Sequence, residues 1–449
     1  MNIKRYAAFS DLDDEVQLEF EQSTRNIREE YRRKVETAKY LLESNLAVPH
    51  FTDAPECSDD DFSFLIAFAD WLVTLQDSAD ICHYSEFDLS ICIDDEYRVN
   101  TILSEETRVR NEDMLLRKYS TKDYLIKNDD VDLEYFERAI AAFNQDTGID
   151  LALLISLIEY MQLGIVDDGI ATEIFPNVFE VDKSLLAEKY NAILEHPVSD
   201  LDSIFQLVNF LTLDPALLKT ANSIQHDLLP IWEREKRDNR FSTKPIILHA
   251  EKCIFSPVAM NHVLTSWKSG ITEWYLPYEI GLTSLVSLLK QWKKRYEDEM
   301  VQDIAQLFRN AGFDLVVPEL ELIYRFPNAG FPEELGDYDV FAINKITHEI
   351  WIVESKVLQK VGSIYEDQMQ QKSFFFQHKD DERFQRRINY MMNSYADVLN
   401  AFNIDVEEYT IIPYMVTNKL FASRYKKIAF PIIVFDELHK ILEQYCSNG

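Results

Sequence analysis

The sequence predicts an α+β chain, a mainly helical region over residues 1–284 followed by a compact α/β domain over residues 285–449. Three observations carry that division. Between about 131 and 222 the apolar residues recur at helical spacing, as they do in two earlier stretches. Beyond 285 long helical stretches alternate with short β-branched runs bounded by Gly and Pro. The charge also changes: residues 1–290 hold 27 Lys+Arg against 53 Asp+Glu, and residues 291–449 hold 18 against 25.

Residues 13–45 interleave opposite charges with helically spaced apolar side chains and read as a long solvated helix. "DAPECSDDDF" (53–62) is a loop and helix cap ahead of an apolar helix over 62–76. "EFDLSICIDDEYRV" (86–99) alternates as a hairpin or edge strand does, and "STKPIILHAEKCIFSP" (242–257) is another strand-like stretch. From about 131 to 222 the pattern is helical again, in the segments 133–145, 150–162, 182–194 and 199–212, and no fixed period marks a solenoid.

Composition limits the class. Hydrophobic residues make up 47% and aromatics 12%, enough for a globular core. No apolar run approaches the roughly 20 residues that span a bilayer, so no membrane partner is expected. Five scattered cysteines without CxxC spacing read as reduced thiols, and the expected compartment is cytoplasmic. The net charge of -33 makes nonspecific DNA binding by the acidic N-terminal part unfavourable, while saying less about the last third. That N-terminal part is expected to serve a sensor, assembly or regulatory role, through a protein partner or a second copy of the chain.

In the C-terminal domain a helix rich in Leu, Lys and Glu over 285–312 ends at Gly312, a fitting cap. A strand, a Pro/Gly loop over 327–336 and the hairpin "DYDVFAINKITHEIWIVESK" (337–356) follow. Next come a helical stretch over about 363–402, two strands and a closing helix. The predicted order is α-β-β-β-α-β-β-α. On the hairpin Ile350, Ile352, Glu354 and Lys356 share one strand face, and Asp339, Phe341 and Ile343 share one on the neighbour. The short turn brings Asp339 toward Glu354 and Lys356. Crowded carboxylates resist ionisation unless a cation joins them, and Mg²⁺ takes one or two carboxylates plus waters. The competing reading is a surface salt bridge worth ~0–1 kcal/mol.

"GDYDVFAIN…HEIWIVESK" (336–356) resembles the active-site hairpin of the PD-(D/E)xK nuclease superfamily, and the likeness covers about 160 of the 449 residues. The resemblance implies a restriction-endonuclease-like domain with a central mixed sheet. It implies an endonuclease in which Asp339 and Glu354 hold Mg²⁺ or Mn²⁺ and Lys356 is the catalytic lysine. Many members add a Glu on the first helix, for which Glu297 is the candidate and Glu299 its competitor. A Gln on the helix after the lysine strand corresponds to Gln368. The sequence reads Gly-Asp-Tyr-Asp where Pro-Asp is the family's pattern, which leaves Asp337 a rival to Asp339. The implied substrate is nucleic acid, DNA rather than RNA, and such domains are frequent in bacterial restriction and anti-phage defence.

One locally basic stretch stands out. Residues 371–390 hold 5 Lys+Arg against 3 Asp+Glu, and Lys372, Lys379, Arg383, Arg386 and Arg387 are candidates for phosphate contacts. An amphipathic helix turning its charged face to water is the plain alternative. A catalytically silent nuclease fold, kept as a scaffold while the acidic region binds a partner, is the competing function.

Overall fold

A computed structural model describes residues 33–47, 58–84, 89–96, 98–105, 122–124, 129–219, 229–233, 240–274, 276, 281–359, 369–421 and 429–448. The chain is α+β, and its described residues form helices and three sheets of two, four and five strands. It divides into two compact units, each discontinuous in sequence. One comprises Met1–His83, Ser90–Ile102 and Ser156–Leu264, the other Tyr84–Leu89, Leu103–Ile155 and Thr265–Gly449. The second unit therefore reaches well N-terminal of residue 285.

In the first unit a helix over 33–47 packs through Tyr40 on Ala69 and Val73 of helix Asp59–Tyr84, with Leu213, Leu218 and Leu229 completing the cluster. Ser58 and Asp61 exchange hydrogen bonds of 3.1 Å as a capping box at the start of that helix. The four-stranded antiparallel sheet contains a hairpin, Thr172–Phe175 with Val178–Asp182, inside the stretch whose pattern predicts helix. The cause is local. Pro176 and Asn177, the latter at φ 60, form a two-residue turn that aligns Phe175 with Val178. The strand-like stretch at 242–257 is a second hairpin, Ile247–His249 with Lys252–Phe255.

The second unit holds the predicted α-β-β-β-α-β-β-α order. Helix α1, Asp129–Thr147, lies beside α2, Thr283–Asn310, with Tyr135 and Trp292 rings 4.4 Å apart. Asp146 caps α2 from outside, accepting from Ser284 N–H at 3.0 Å and Leu285 N–H at 2.9 Å. At the other end Gly312 has φ 82, and Phe313 N–H reaches back to the Phe308 carbonyl at 3.2 Å. Strands β1 (Leu315–Glu321), β2 (Asp337–Asn344) and β3 (Glu349–Lys356) form an antiparallel meander. Strands β4 (Thr410–Thr417) and β5 (Ile432–Val434) continue it in parallel, giving the mixed order β5-β4-β3-β2-β1.

Strands β2 and β3 are buried on both faces, which explains their near-continuous apolar sequence. Val340, Ala342, Trp351 and Val353 pack against Met300, Ile304 and Phe308 of α2, and against Leu438 and Leu442 of α4, Phe435–Asn448. Phe341, Ile343, Ile350 and Ile352 pack instead on Phe384, Ile388 and Met391 of α3, Asp380–Ala401. Each such side chain contributes roughly 1.5–3 kcal/mol by leaving water. Tyr124 adds a distant piece. Its ring fits between Tyr296 (5.3 Å) and Phe435 (4.6 Å), and its N–H donates to the Asn418 carbonyl at 2.7 Å. The Asn418 amide in turn holds Leu358, two residues past Lys356, through both backbone groups (2.8 and 3.2 Å).

Candidate active site

The β2–β3 ladder runs from Asn344↔Glu349 to Val340↔Val353 and stops one residue short of Asp339 and Glu354. Beyond that point the Ser355 N–H donates to Asp339 Oδ2 at 2.6 Å, a side chain standing where a backbone carbonyl would otherwise be. On its other edge β3 stays paired with β4 through Thr417↔Lys356. The lysine end of β3 is thus held on both sides, with a carboxylate wedged into one of them.

Around that wedge lie four more charged side chains, five with Asp339. Glu354 is 4% exposed. Its Oε1 lies 2.9 Å from Lys356 Nζ and its Oε2 lies 2.8 Å from Arg387 Nη2. The Arg387 contact is an ion pair in distance, but its N–H is not aimed at the oxygen, so Glu354 Oε2 and Arg387 Nε lack hydrogen-bond partners. Lys356 Nζ also lies 3.4 Å from Asp380 Oδ1, at the first turn of α3. Arg387 donates to the Asp337 carbonyl.

By formal charge, Glu354 and Asp380 are matched by Lys356 and Arg387, leaving Asp339 the unmatched acid. Burial first, and then the neighbouring Glu354, push the Asp339 carboxyl up to about 8, against the Ser355 N–H and Lys356 that favour its anion. For Lys356 burial acts to lower the pKa, but Glu354, Asp380 and Asp339 outweigh it and hold the ammonium above the usual lysine range. Lys356 is therefore a fixed cation at neutral pH, not a base.

This donor set fits a hard divalent cation. Burial and then Glu354 disfavour the Asp339 anion, and a metal would supply positive charge that the site lacks. Among the described residues no three His, Cys, Asp or Glu side chains already converge as a ligand cage. Asp339 and Glu354 would be the protein ligands, with water completing the shell.

The other predicted residues fall as follows. Asp337 is exposed and touches the cluster through its carbonyl, which accepts from Arg387, while Asp339 is the acid whose carboxyl the neighbouring Glu354 perturbs. Glu297 lies on α2, whose packing is with the opposite sheet face, and its carboxylate is 3.6 Å from Lys293. Glu299 pairs with Arg295 at 3.0 Å. Neither Glu is brought to Asp339 and Glu354. Gln368 lies outside the described residues. Lys372, Lys379, Arg383 and Arg386 are exposed, as phosphate contacts require. Arg387 is the correction: it is buried at 6% exposure and engaged by Glu354 instead of facing solvent with its neighbours.

Two members of the cluster, Asp380 and the inward Arg387, go beyond the hairpin reading. A signal for Arg387 exists, because Phe384, Arg387, Ile388 and Met391 recur at i, i+3, i+4, i+7 and are all buried. Asp380 gives only the weak signal of an acid opening a helix. Compared with protein-family models, curated proteins and solved structures, the chain matches none. No single described helix is long and apolar enough to cross a membrane.

Proposed function

We propose that the second unit hydrolyses nucleic-acid phosphodiester bonds with a divalent metal, Mg²⁺ or Mn²⁺, in the manner of PD-(D/E)xK endonucleases, and that its substrate is DNA. One observation carries the reading: Asp339, held in the β2–β3 gap next to buried Glu354, is a carboxylate without a matching cation. When bound, the metal supplies Lewis acidity toward a phosphoryl oxygen and lowers the pKa of a coordinated water. Asp339 and Glu354 hold it. Lys356, kept cationic by its acids, orients the attacking water and stabilises charge developing on the phosphate. Asp380 fixes the Lys356 ammonium from the far side, and Arg387 fixes Glu354. Lys372, Lys379, Arg383 and Arg386 meet the flanking phosphates.

Cleavage of supercoiled plasmid and of labelled oligonucleotides by the full chain tests this, with Mg²⁺ against EDTA. Asp339→Ala, Glu354→Ala and Lys356→Ala are each expected to reduce cleavage by about 10²-fold or more. Undiminished cleavage in any of them removes that residue from the reading. One observation favours the scaffold reading instead: Glu354, Lys356, Asp380 and Arg387 already neutralise one another, as a purely structural network does. A wild-type chain that neither cleaves nor gains thermal stability from Mg²⁺ supports that second reading.

A further inference from the structure

Residues Ser373–Gln377 form a π-helical turn ending a helix that runs from residue 369. Such single turns insert an extra residue and often mark functional sites. Here the turn splits three consecutive phenylalanines. Phe374 and Phe375 are each 5% exposed, and both pack on Phe421. Phe376 points outward and leaves 68% of its surface in water.

A single phenylalanine that leaves most of its surface in water is ordinary. The company of this one is not. Lys372 lies one turn before it, Lys379 three residues after it, and Arg383 and Arg386 on the following helix, all exposed in a chain of net charge -33. Lys379 leans on Glu382 at 3.4 Å, and that pair is itself solvent-exposed. Four residues past Phe376 comes Asp380, which touches Lys356. The Phe376 backbone is therefore within about 14 Å of that of Asp380.

The depth of the site adds a second constraint. The side chains of Glu354, Asp380 and Lys356 are 5%, 16% and 28% exposed, so little of their surface is open to a reacting phosphate. A flexible single strand brings a phosphate up to such sparsely exposed groups more readily than a stiff duplex. Bases in a duplex also have both faces covered by their neighbours, whereas an unpaired base offers a face to an aromatic ring.

We propose that Phe376 is a stacking platform for one base of a single-stranded nucleic acid, whose phosphates are gripped by Lys372, Lys379, Arg383 and Arg386. The inference deepens the nuclease reading and rests on it only for the chemistry that follows binding. Fluorescence anisotropy of the full chain in EDTA, with labelled oligothymidylate and with a duplex of equal length, tests it without cleavage. Phe376→Ala is expected to weaken single-strand binding about 5- to 30-fold, with Phe376→Trp close to wild type and duplex binding unmoved. Equal single-strand affinity in Phe376→Ala and wild type overturns the proposal, as does a parallel loss on duplex or a wild type that does not bind the single strand. Cleavage of the same oligonucleotide in Mg²⁺ separates the two readings. A selective binding loss beside an inactive wild type keeps the platform and removes the nuclease. An active wild type whose binding ignores Phe376→Ala keeps the nuclease and removes the platform.

Discussion

Replacing Asp339 by Asn tests the charge imbalance directly. Asn keeps an oxygen acceptor for the Ser355 N–H, which reaches Asp339 at 2.6 Å, and mimics the protonated acid in shape. In the folded chain the carboxyl titrates near 8, against a reference of 3.8. Between those values the folded state binds the extra proton, so unfolding becomes easier as pH rises, by up to about 1.4 kcal/mol per unit. Stability from this group is complete below the unfolded pKa and lost as pH passes through the folded one. Summed over the window, the loss is at most about 6 kcal/mol, and less to the extent that water reaches the half-buried side chain. Urea unfolding at pH 5, 6, 7 and 8 reads the difference between variant and wild type. The expected result is that Asp339→Asn gains on the wild type with each step and levels off above pH 8. A difference that stays flat from pH 5 to 8 refutes the imbalance. Adding Mg²⁺ gives the second arm: a cation competing with that proton protects the wild type more strongly at higher pH and leaves Asp339→Asn unchanged. Equal protection of both proteins removes Asp339 from the ligand set.

Three further substitutions probe the surroundings. Arg387→Met strands Glu354 with Lys356 as its single cation and is expected to cost about 3–5 kcal/mol in urea unfolding, whereas an exposed arginine would cost under 1. Tyr124→Ala empties the space between Tyr296 and Phe435, and an expected loss of about 3–5 kcal/mol would place residues N-terminal of 285 in the same cooperative unit as the site. A loss below about 1 kcal/mol contradicts that. Asp146→Ala removes the cap on α2 and is expected to cost about 1 kcal/mol at neutral pH. Burial opposes the Asp146 anion, but the Leu285 and Ser284 donors prevail and hold its pKa below the ordinary value. Its contribution should therefore vanish as pH falls through the carboxylate range, the opposite sign to Asp339, and melts at pH 3 and 7 distinguish the two.

The hairpin was legible because its chemistry is local. A short turn joins β2 to β3, and alternation alone puts Asp339 and Glu354 at the same end. The order of the eight elements was legible for the same reason, each announcing its own period. Asp380 and Arg387 belong to another class, because only the docking of α3 over the Phe341–Ile352 face brings Asp380 to Lys356 and Arg387 to Glu354. Even so, Arg387 sits in phase with Phe384, Ile388 and Met391, and that phase separates it from adjacent Arg386. Glu297 errs the other way. It has a suitable sequence context, but the apolar phase of α2 seats that helix on the far face of the sheet. The place of Tyr124 in the second unit had no local sign, since it depends on contacts with Tyr296, Asn418 and Phe435 far along the chain.

The composition of the cluster bears on what it is for. A buried ion-pair network rarely stabilises a fold better than apolar side chains of equal volume, because desolvating the charges costs about as much as their attraction returns. Five charged groups on a sheet otherwise lined by Phe, Ile and Val thus need a reason beyond stability. Conformational specificity is one such reason, and a matched set of acids and bases would satisfy it. The set here is not matched: three acids face two cations, Lys356 and Arg387 pair with Glu354 and Asp380, and Asp339 has the Ser355 N–H and only a share of the Lys356 charge. A structural network gains nothing from a third acid that has to be kept protonated. A site that exchanges that proton for a divalent cation depends on having it.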